Sequence, residues 1–168
     1  RLSFYYASQD MGLKVLGFVV DKNRRTMDNF CNLPVISWEE CLYKYQPNEI
    51  YFYIALGYKV MRQRQHLYER IKSAGYKFQS IISKSSYIAE TAIIGENNFI
   101  MPGAIIEPEV YLGVNNIIWS NTTICHDSKI GNHNFFAANS TIGGEVSIGD
   151  CCFFGFTSTV IQQLTIND

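Results

Sequence analysis

The sequence predicts a β-helix of six-residue repeats behind a small α/β piece, and three observations predict it. A large apolar residue returns at every sixth position from Ile82 through Ile88, Ile94 and Ile100 to Val160 and Ile166 without a slip. Two places before each of these, from Ile88 onward, stands a mostly small residue such as Ser86, Ala92, Asn98 or Ala104. An apolar residue followed by glycine recurs at every third hexapeptide, in Ile94-Gly95, Leu112-Gly113, Ile130-Gly131 and Ile148-Gly149. A helix cannot use a period of six, because six steps of about 100° return to a different face. A unit of strand and turn can, and each such coil buries its apolar edge by stacking on the next. Three hexapeptides then make one three-sided coil, with coils about 4.8 Å apart.

The inward columns are Ile82/Ile100/Ile118/Phe136/Phe154, Ile88/Ile106/Ile124/Ile142/Val160 and Ile94/Leu112/Ile130/Ile148/Ile166. Burying each large side chain contributes about 1.5–3 kcal/mol. The glycine after the third column is read as a position of positive φ, with Asn167 standing in for it in the last coil. An outward stripe, Phe99, Ile117, Phe135 and Phe153, is expected to be a subunit interface of a cyclic trimer, in preference to a surface covered by further chain.

Residues 1 to about 80 have another character. Leu2 to Ser8 reads as the end of an amphipathic helix broken at Asp10-Met11-Gly12, and Lys14 to Asp21 as a buried strand. Residues 22–30 read as a loop, and Leu33 to Ile36 as a short strand or an extended linker. Ser37 caps a helix to about Tyr45, with Glu39 and Glu40 in its first turn. Glu49 to Leu56 is a second strand, Lys59 to Ala74 a helix closed by Gly75, and Phe78 to Ile82 a strand leading into the first coil. This βαβ order predicts a parallel sheet. The expected division is 1–80 and 81–168. The chain starts on Arg1 and stops mid-coil on Asn167-Asp168, so it reads as a fragment.

A hydrophobic fraction of 47% with 17% charged residues describes a folded chain. The net charge of −1 suggests neither a nucleic-acid nor an anionic membrane partner. No apolar run is long enough to span a bilayer. Five cysteines without a CxxC pair read as free thiols in a reducing cytoplasm.

Chemistry points to Ile124-Cys-His126-Asp127-Ser-Lys-Ile-Gly131, where a titratable base adjoins a carboxylate. His126 follows an inward residue by two places and is expected on the outer face near a corner. Histidine suits general-base work near neutrality, and Asp127 is suited to fixing its tautomer. Gly144 is one coil later, directly above His126, and its amide is placed to face charge developing on an oxygen.

These coils, the motif from His126 to Gly131 and the βαβ piece resemble the bacterial sugar O- and N-acyltransferases of the sialic-acid O-acetyltransferase type, over almost the whole chain. The resemblance implies a Rossmann-like, nucleotide-sugar-binding domain, here partial, before a left-handed parallel β-helix. It implies acetyl-CoA as co-substrate, no metal, and a cytoplasmic homotrimer with active sites between subunits, acting in surface-glycan biosynthesis. His126 would be the general base, Asp127 its partner and Gly144 an amide near the acyl carbonyl. Asp21 matches the nucleotide-contacting acidic position, and Gly57 with Arg62 or Arg64 the second loop near the nucleotide. The second histidine of many relatives is replaced by Phe135, and His133 is not assigned its role. The glycine-rich loop of the first domain is missing. Two other readings compete: a non-catalytic β-helix scaffold, and a γ-class carbonic anhydrase. The second needs three histidine ligands, whereas His66, His126 and His133 do not share a column.

Overall fold

The computed structural model describes residues 1–167. Asp168, the expected end of the second part, lies outside the described residues. From Ile81 the chain winds as three five-stranded parallel sheets, each built from short strands that recur once per coil. The first face stacks Ile81–Ile82, Phe99–Ile100, Ile117–Ile118, Phe135–Phe136 and Phe153–Phe154. The second runs from Tyr87–Ile88 to Thr159–Val160, and the third from Ile93–Ile94 to Thr165–Ile166. The register is the same throughout, each residue pairing with the one three hexapeptides on, as in Ile106↔Ile124 and Leu112↔Ile130. The inward columns are the core: Ile100, Ile106, Leu112, Ile118, Ile124, Ile130, Phe136 and Ile142 are all 0% exposed. These stacked parallel sheets fit a left-handed β-helix of hexapeptide repeats.

From Asn97 onward, each corner turns through one residue of positive φ, three places after an inward residue. At one edge these are Asn97, Asn115, His133 and Cys151, at the next Gly103, Asn121, Asn139 and Thr157, and at the last Glu109, Asp127, Glu145 and Gln163. The glycines after the third column have a different reason from the one expected. Gly95, Gly113 and Gly131 are not in the left-handed region; instead, a Cβ on each would lie 2.5–2.6 Å from the carbonyl oxygen of the glycine one coil above. The buried Asn98, Asn116 and Asn134 reach those same carbonyls, for example Asn116 Nδ2 to Gly131 O at 2.9 Å. Their Oδ1 atoms accept the N–H of the residue above, as from Asn116 to Asn98 at 2.8 Å. This column is therefore an amide ladder inside the prism, not simply a row of small residues.

Residues 1–80 contain α1 (Leu2–Tyr5), which continues as a wider turn to Asp10, then β1 (Phe18–Val20), β2 (Asn29–Phe30), β3 (Leu33–Ser37), α2 (Trp38–Lys44), β4 (Tyr51–Phe52), α3 (Met61–Ser73) and β5 (Lys77–Phe78). Ser37 and Glu40 form a reciprocal capping box on α2, and Gly75 follows α3 at φ +87°. β1 and β3 are parallel, as are β4 and β5 around α3, but they form two separate small sheets. Part of the expected loop is a β2–β3 hairpin turning through Cys31 and Asn32, both at positive φ. The expected strands are shorter than read because their apolar ends turn onto the coils: Leu13, Val15 and Tyr53 pack there instead of extending a ladder.

The outward stripe is not a free trimer surface. Phe99, Ile117 and Phe135 are buried beneath the chain's own N-terminal part, with Tyr6 and Tyr53 against Phe99 and Tyr58 against Phe135 and Phe153. Only Phe153 remains half exposed. The periodicity marked these residues as outward but carried no information on what covers them.

A buried polar relay joins the two parts. Ile54 N–H donates to Asn97 Oδ1 (2.9 Å), Asn97 Nδ2 to Asn115 Oδ1 (2.7 Å), and Asn115 Nδ2 to His133 Nδ1 (2.7 Å). The first donor is a main-chain N–H, so it fixes every amide in the series and leaves the His133 proton on Nε2. The buried Arg64 of α3 donates to His133 O (2.6 Å) and Asn134 O (3.2 Å). Burial lowers the Arg64 pKa to about 10. His133 thus joins the two parts of the chain, with its Nδ1 taken up by Asn115.

Two measurements check this. Ile124→Ala, at a fully buried column position, is expected to lower the unfolding free energy in denaturant by about 2–5 kcal/mol; a loss under about 0.5 kcal/mol would contradict the core. Burial lowers the pKa of His133, with Arg64 adding to the effect against Asp150. The unfolded chain takes up that proton near the usual value of about 6.5 and the folded chain does not, so stability is lost as pH falls from there through the lower folded value. Melting temperatures should therefore fall more steeply below that pH in the unaltered chain than in His133→Asn; parallel curves would contradict it.

Candidate active site at a corner of the β-helix

The candidate site is the edge between the second and third faces, opposite the face that the N-terminal part covers. There the coil register stacks Pro108, His126 and Gly144 in one column and Glu109, Asp127 and Glu145 in the next. Asp127 is the corner's positive-φ residue at +59°, which turns its short side chain back toward its neighbour. Its Oδ2 lies 2.9 Å from His126 Nδ1. A carboxylate there holds the Nδ1 proton, so Nε2 is the basic atom of the neutral ring.

Gly144 is placed by space. Its φ is not in the left-handed region, but a Cβ would stand 2.7 Å from His126 Cε1 and 2.8 Å from Nε2. The imidazole therefore lies close against bare backbone, with its Cε1–Nε2 edge nearest. Gly144 accepts a hydrogen bond from Gln163 N–H at 3.0 Å, while its own N–H has no partner among the described residues. The corner above the histidine is tied to the one below: Glu145 N–H donates to His126 O, and Ser128 Oγ donates to Gly143 O (2.9 Å) and accepts from Val146 N–H (3.2 Å).

Each side chain of the His126–Asp127 pair is 56% exposed. The hydrogen bond to Asp127 raises the His126 pKa most, desolvation opposes it, and the charges of Asp127, Glu107 and Glu145 raise it further. Glu107 was not singled out from the sequence. Its Oε2 accepts the main-chain N–H of His126 at 2.9 Å. The register held the signal, since position 108 stacks beneath 126 and its neighbour at 107 faces the same edge.

The other expected site residues lie elsewhere. Asp21 is half exposed at the end of β1 and pairs with Arg70 at 2.8 Å, and Arg70 stacks over Trp38. Gly57 is exposed, with nothing within 4 Å of a Cβ added there. Arg62 is exposed on the first turn of α3, donating to Gln65 at 3.3 Å, whereas Arg64 is the buried tie to the coil. Gly57 adjoins Tyr58, which packs on the first face, so within one chain this group and His126 stand on different sides of the prism. His126 and His133 occupy different edges. Among the described residues no cluster of three or more His, Cys, Asp or Glu could hold a metal ion, and no helix is long and apolar enough to cross a membrane.

Fold and edge together define a hexapeptide-repeat β-helix protein with a histidine–carboxylate pair at one corner. Residues 91–126 match the bacterial transferase hexapeptide (six repeats). Among solved structures, the chain is similar to PerB from Caulobacter crescentus in complex with CoA and GDP-perosamine, with a TM-score of 0.71 and 20% identity over 96% of this chain and 84% of that one. It is similar also to the acetyltransferase domain of PglB from Neisseria gonorrhoeae in complex with acetyl coenzyme A (TM-score 0.63, 19% identity, 92% of this chain and 87% of that one). WeeI from Acinetobacter baumannii aligns with a TM-score of 0.53 at 15% identity, over 96% of this chain and 88% of that one. No curated protein matches the sequence. What these solved structures share with the chain is the fold.

Gly144→Ala tests the stacking. The added methyl cannot displace main chain, so the ring must leave the corner and lose Asp127. The His126 titration midpoint, read from ring-proton NMR, should then fall toward the ordinary histidine value. An unmoved His126 signal would contradict the packing.

Proposed function

We propose that the protein is an acetyl-CoA-dependent acetyltransferase acting on an amino or hydroxyl group of a nucleotide sugar, in the cytoplasmic steps of bacterial surface-glycan biosynthesis. The observation that carries this reading is the His126 ring, held at Nδ1 by Asp127 and bare at Nε2 beside the unpartnered N–H of Gly144. In support, the solved structures of the same fold include one in complex with CoA and GDP-perosamine and an acetyltransferase domain in complex with acetyl coenzyme A.

The step is direct transfer. His126 Nε2 takes the proton of the acceptor amine or hydroxyl as its lone pair forms the new bond to the thioester carbon. Asp127 stabilises the imidazolium, and the Gly144 N–H donates to the carbonyl oxygen as it gains charge. The C–S bond then breaks, and the thiolate of CoA takes the proton back from His126. No covalent acyl-enzyme is needed.

In this reading residues 1–80 are a partial Rossmann-like domain that binds the nucleotide sugar through Asp21, Gly57 and Arg62, and residues 81–168 carry the acyl transfer. Those three residues and His126 face different sides of one chain, so a homotrimer with sites between subunits is the arrangement that brings them together. The two faces that flank the His126 edge carry exposed apolar residues suited to such contacts, Tyr87 and Ile105 on one, Ile93 and Tyr111 on the other.

The experiment is CoA-thiol release from acetyl-CoA with amino-sugar nucleotides as acceptors. His126→Ala is expected to lower kcat by about 10²–10⁴. Because His126 must be neutral to act and its pKa is raised, kcat should fall as pH drops through a midpoint above the ordinary histidine value of about 6.5. Near-normal turnover by His126→Ala would remove it from the role, and no turnover by the unaltered chain would favour a scaffold.

A further inference from the structure

Glu107 is a carboxylate next to the reacting edge to which the transfer just described assigns no part. It belongs to the coil below His126, at the end of the strand pair Ile105–Ile106. Its own N–H makes the ordinary ladder bond, to Ile124 O at 3.0 Å. Its half-buried side chain then folds upward, where Oε2 accepts His126 N–H at 2.9 Å. The same carboxylate bears on the preceding residue, Cys125, whose thiol pKa is raised by burial and by that negative charge. The main chain of the upper coil is thus gripped at His126 by a side chain of the lower coil.

The neighbouring corners show why this contact is specific. In the column of His126, Pro108 has no N–H to offer, and the N–H of Gly144 has no hydrogen-bond partner among the described residues. The β-helix therefore supplies no ladder bond at this point of the corner. The N–H of His126 is satisfied only because residue 107 is a glutamate. The groups that face the imidazole are then Asp127 on Nδ1, Glu107 from below, Glu145 from above, and the bare backbone of Gly144 on the Cε1–Nε2 side.

We infer that Glu107 is a positioning residue for this site: it fixes the main chain that carries His126 and supplies a second negative charge that favours the imidazolium. The inference rests on the reading of His126 as the base. A fixed backbone matters because a ring held on an exposed corner otherwise samples orientations in which Nε2 does not point along the edge, and small misplacements of a reacting group cost rate steeply. The charge matters because the proton from the acceptor rests on His126 between bond formation and release of CoA. A carboxylate one coil below, in a different direction from Asp127, stabilises that state without occupying Nε2.

Two variants separate these roles. Glu107→Gln keeps an oxygen able to accept from His126 N–H and removes the charge; Glu107→Ala removes both. Ring-proton NMR titration of His126 and the pH dependence of kcat and KM are measured for both beside the unaltered protein, with melting temperatures to confirm that each variant is folded. The His126 midpoint, and with it the acidic limb of kcat, should move down in both variants. At the pH optimum Glu107→Ala should lose on the order of 10- to 100-fold in kcat with the KM for acetyl-CoA unchanged, and Glu107→Gln markedly less. A His126 midpoint unmoved in both variants would overturn the inference, even with kcat reduced, because that is the pattern of a merely structural contact. Loss of activity confined to KM would overturn it as well. If the unaltered protein transfers no acetyl group, the functional reading fails by itself, and the His126 titration in the two variants still decides whether Glu107 acts on the ring.

Discussion

Every coil must close in three hexapeptides, and from Asn97 onward a left-handed residue at each corner closes it. A slip of one position would turn each inward isoleucine toward solvent and each outward residue into the core. Non-glycine residues adopt positive φ at a cost that Asn and Asp bear best, which is why asparagine recurs at the corners and Asp127 is found at one of them. The constraint is local, but its repetition gives the molecule its long-range order. Residues one coil apart in sequence become neighbours, and those two coils apart lie two strand spacings from each other.

The candidate site is a direct product of that register. No loop or lid assembles it; the corner conformation turns Asp127 toward His126, and the coil above presents Gly144 where any other residue would collide with the ring. The edge is rigid, because Ser128 and Glu145 tie adjacent coils on both sides of the histidine. The same register builds the opposite kind of histidine at the next edge. His133 is bonded to Asn115 beneath α3, where burial lowers its pKa and the relay from Ile54 fixes its tautomer. Exposure and partner, more than residue type, separate the two histidines.

How much could be read from the sequence follows from what periodicity encodes. The inward columns were legible in full, since a period of six has one geometric solution and Ile100 to Ile142 fill it. The pairing of His126, Asp127 and Gly144 was legible for the same reason. Periodicity says which way a side chain points but not what meets it, so Phe99, Ile117 and Phe135 were read as a subunit contact when the chain's own aromatic residues cover them. The glycine column was read through φ, whereas carbonyl crowding explains it. Glu107 went unnoticed because it belongs to another coil and bonds to a main-chain N–H, although the register places position 107 at the same edge. In the N-terminal part, propensity marked α2 and α3 correctly, while the strands were overextended because tertiary contacts with the coils compete for their apolar ends.

The central claim is that acyl transfer takes place at the corner where His126, Asp127 and Gly144 meet. The most direct measurement is a crystal structure of the protein with CoA bound. The account predicts the CoA sulfur within hydrogen-bonding reach of His126 Nε2 and beside the N–H of Gly144, on the edge between the second and third faces. CoA seated along either of the other two edges, with its sulfur remote from His126, would contradict it.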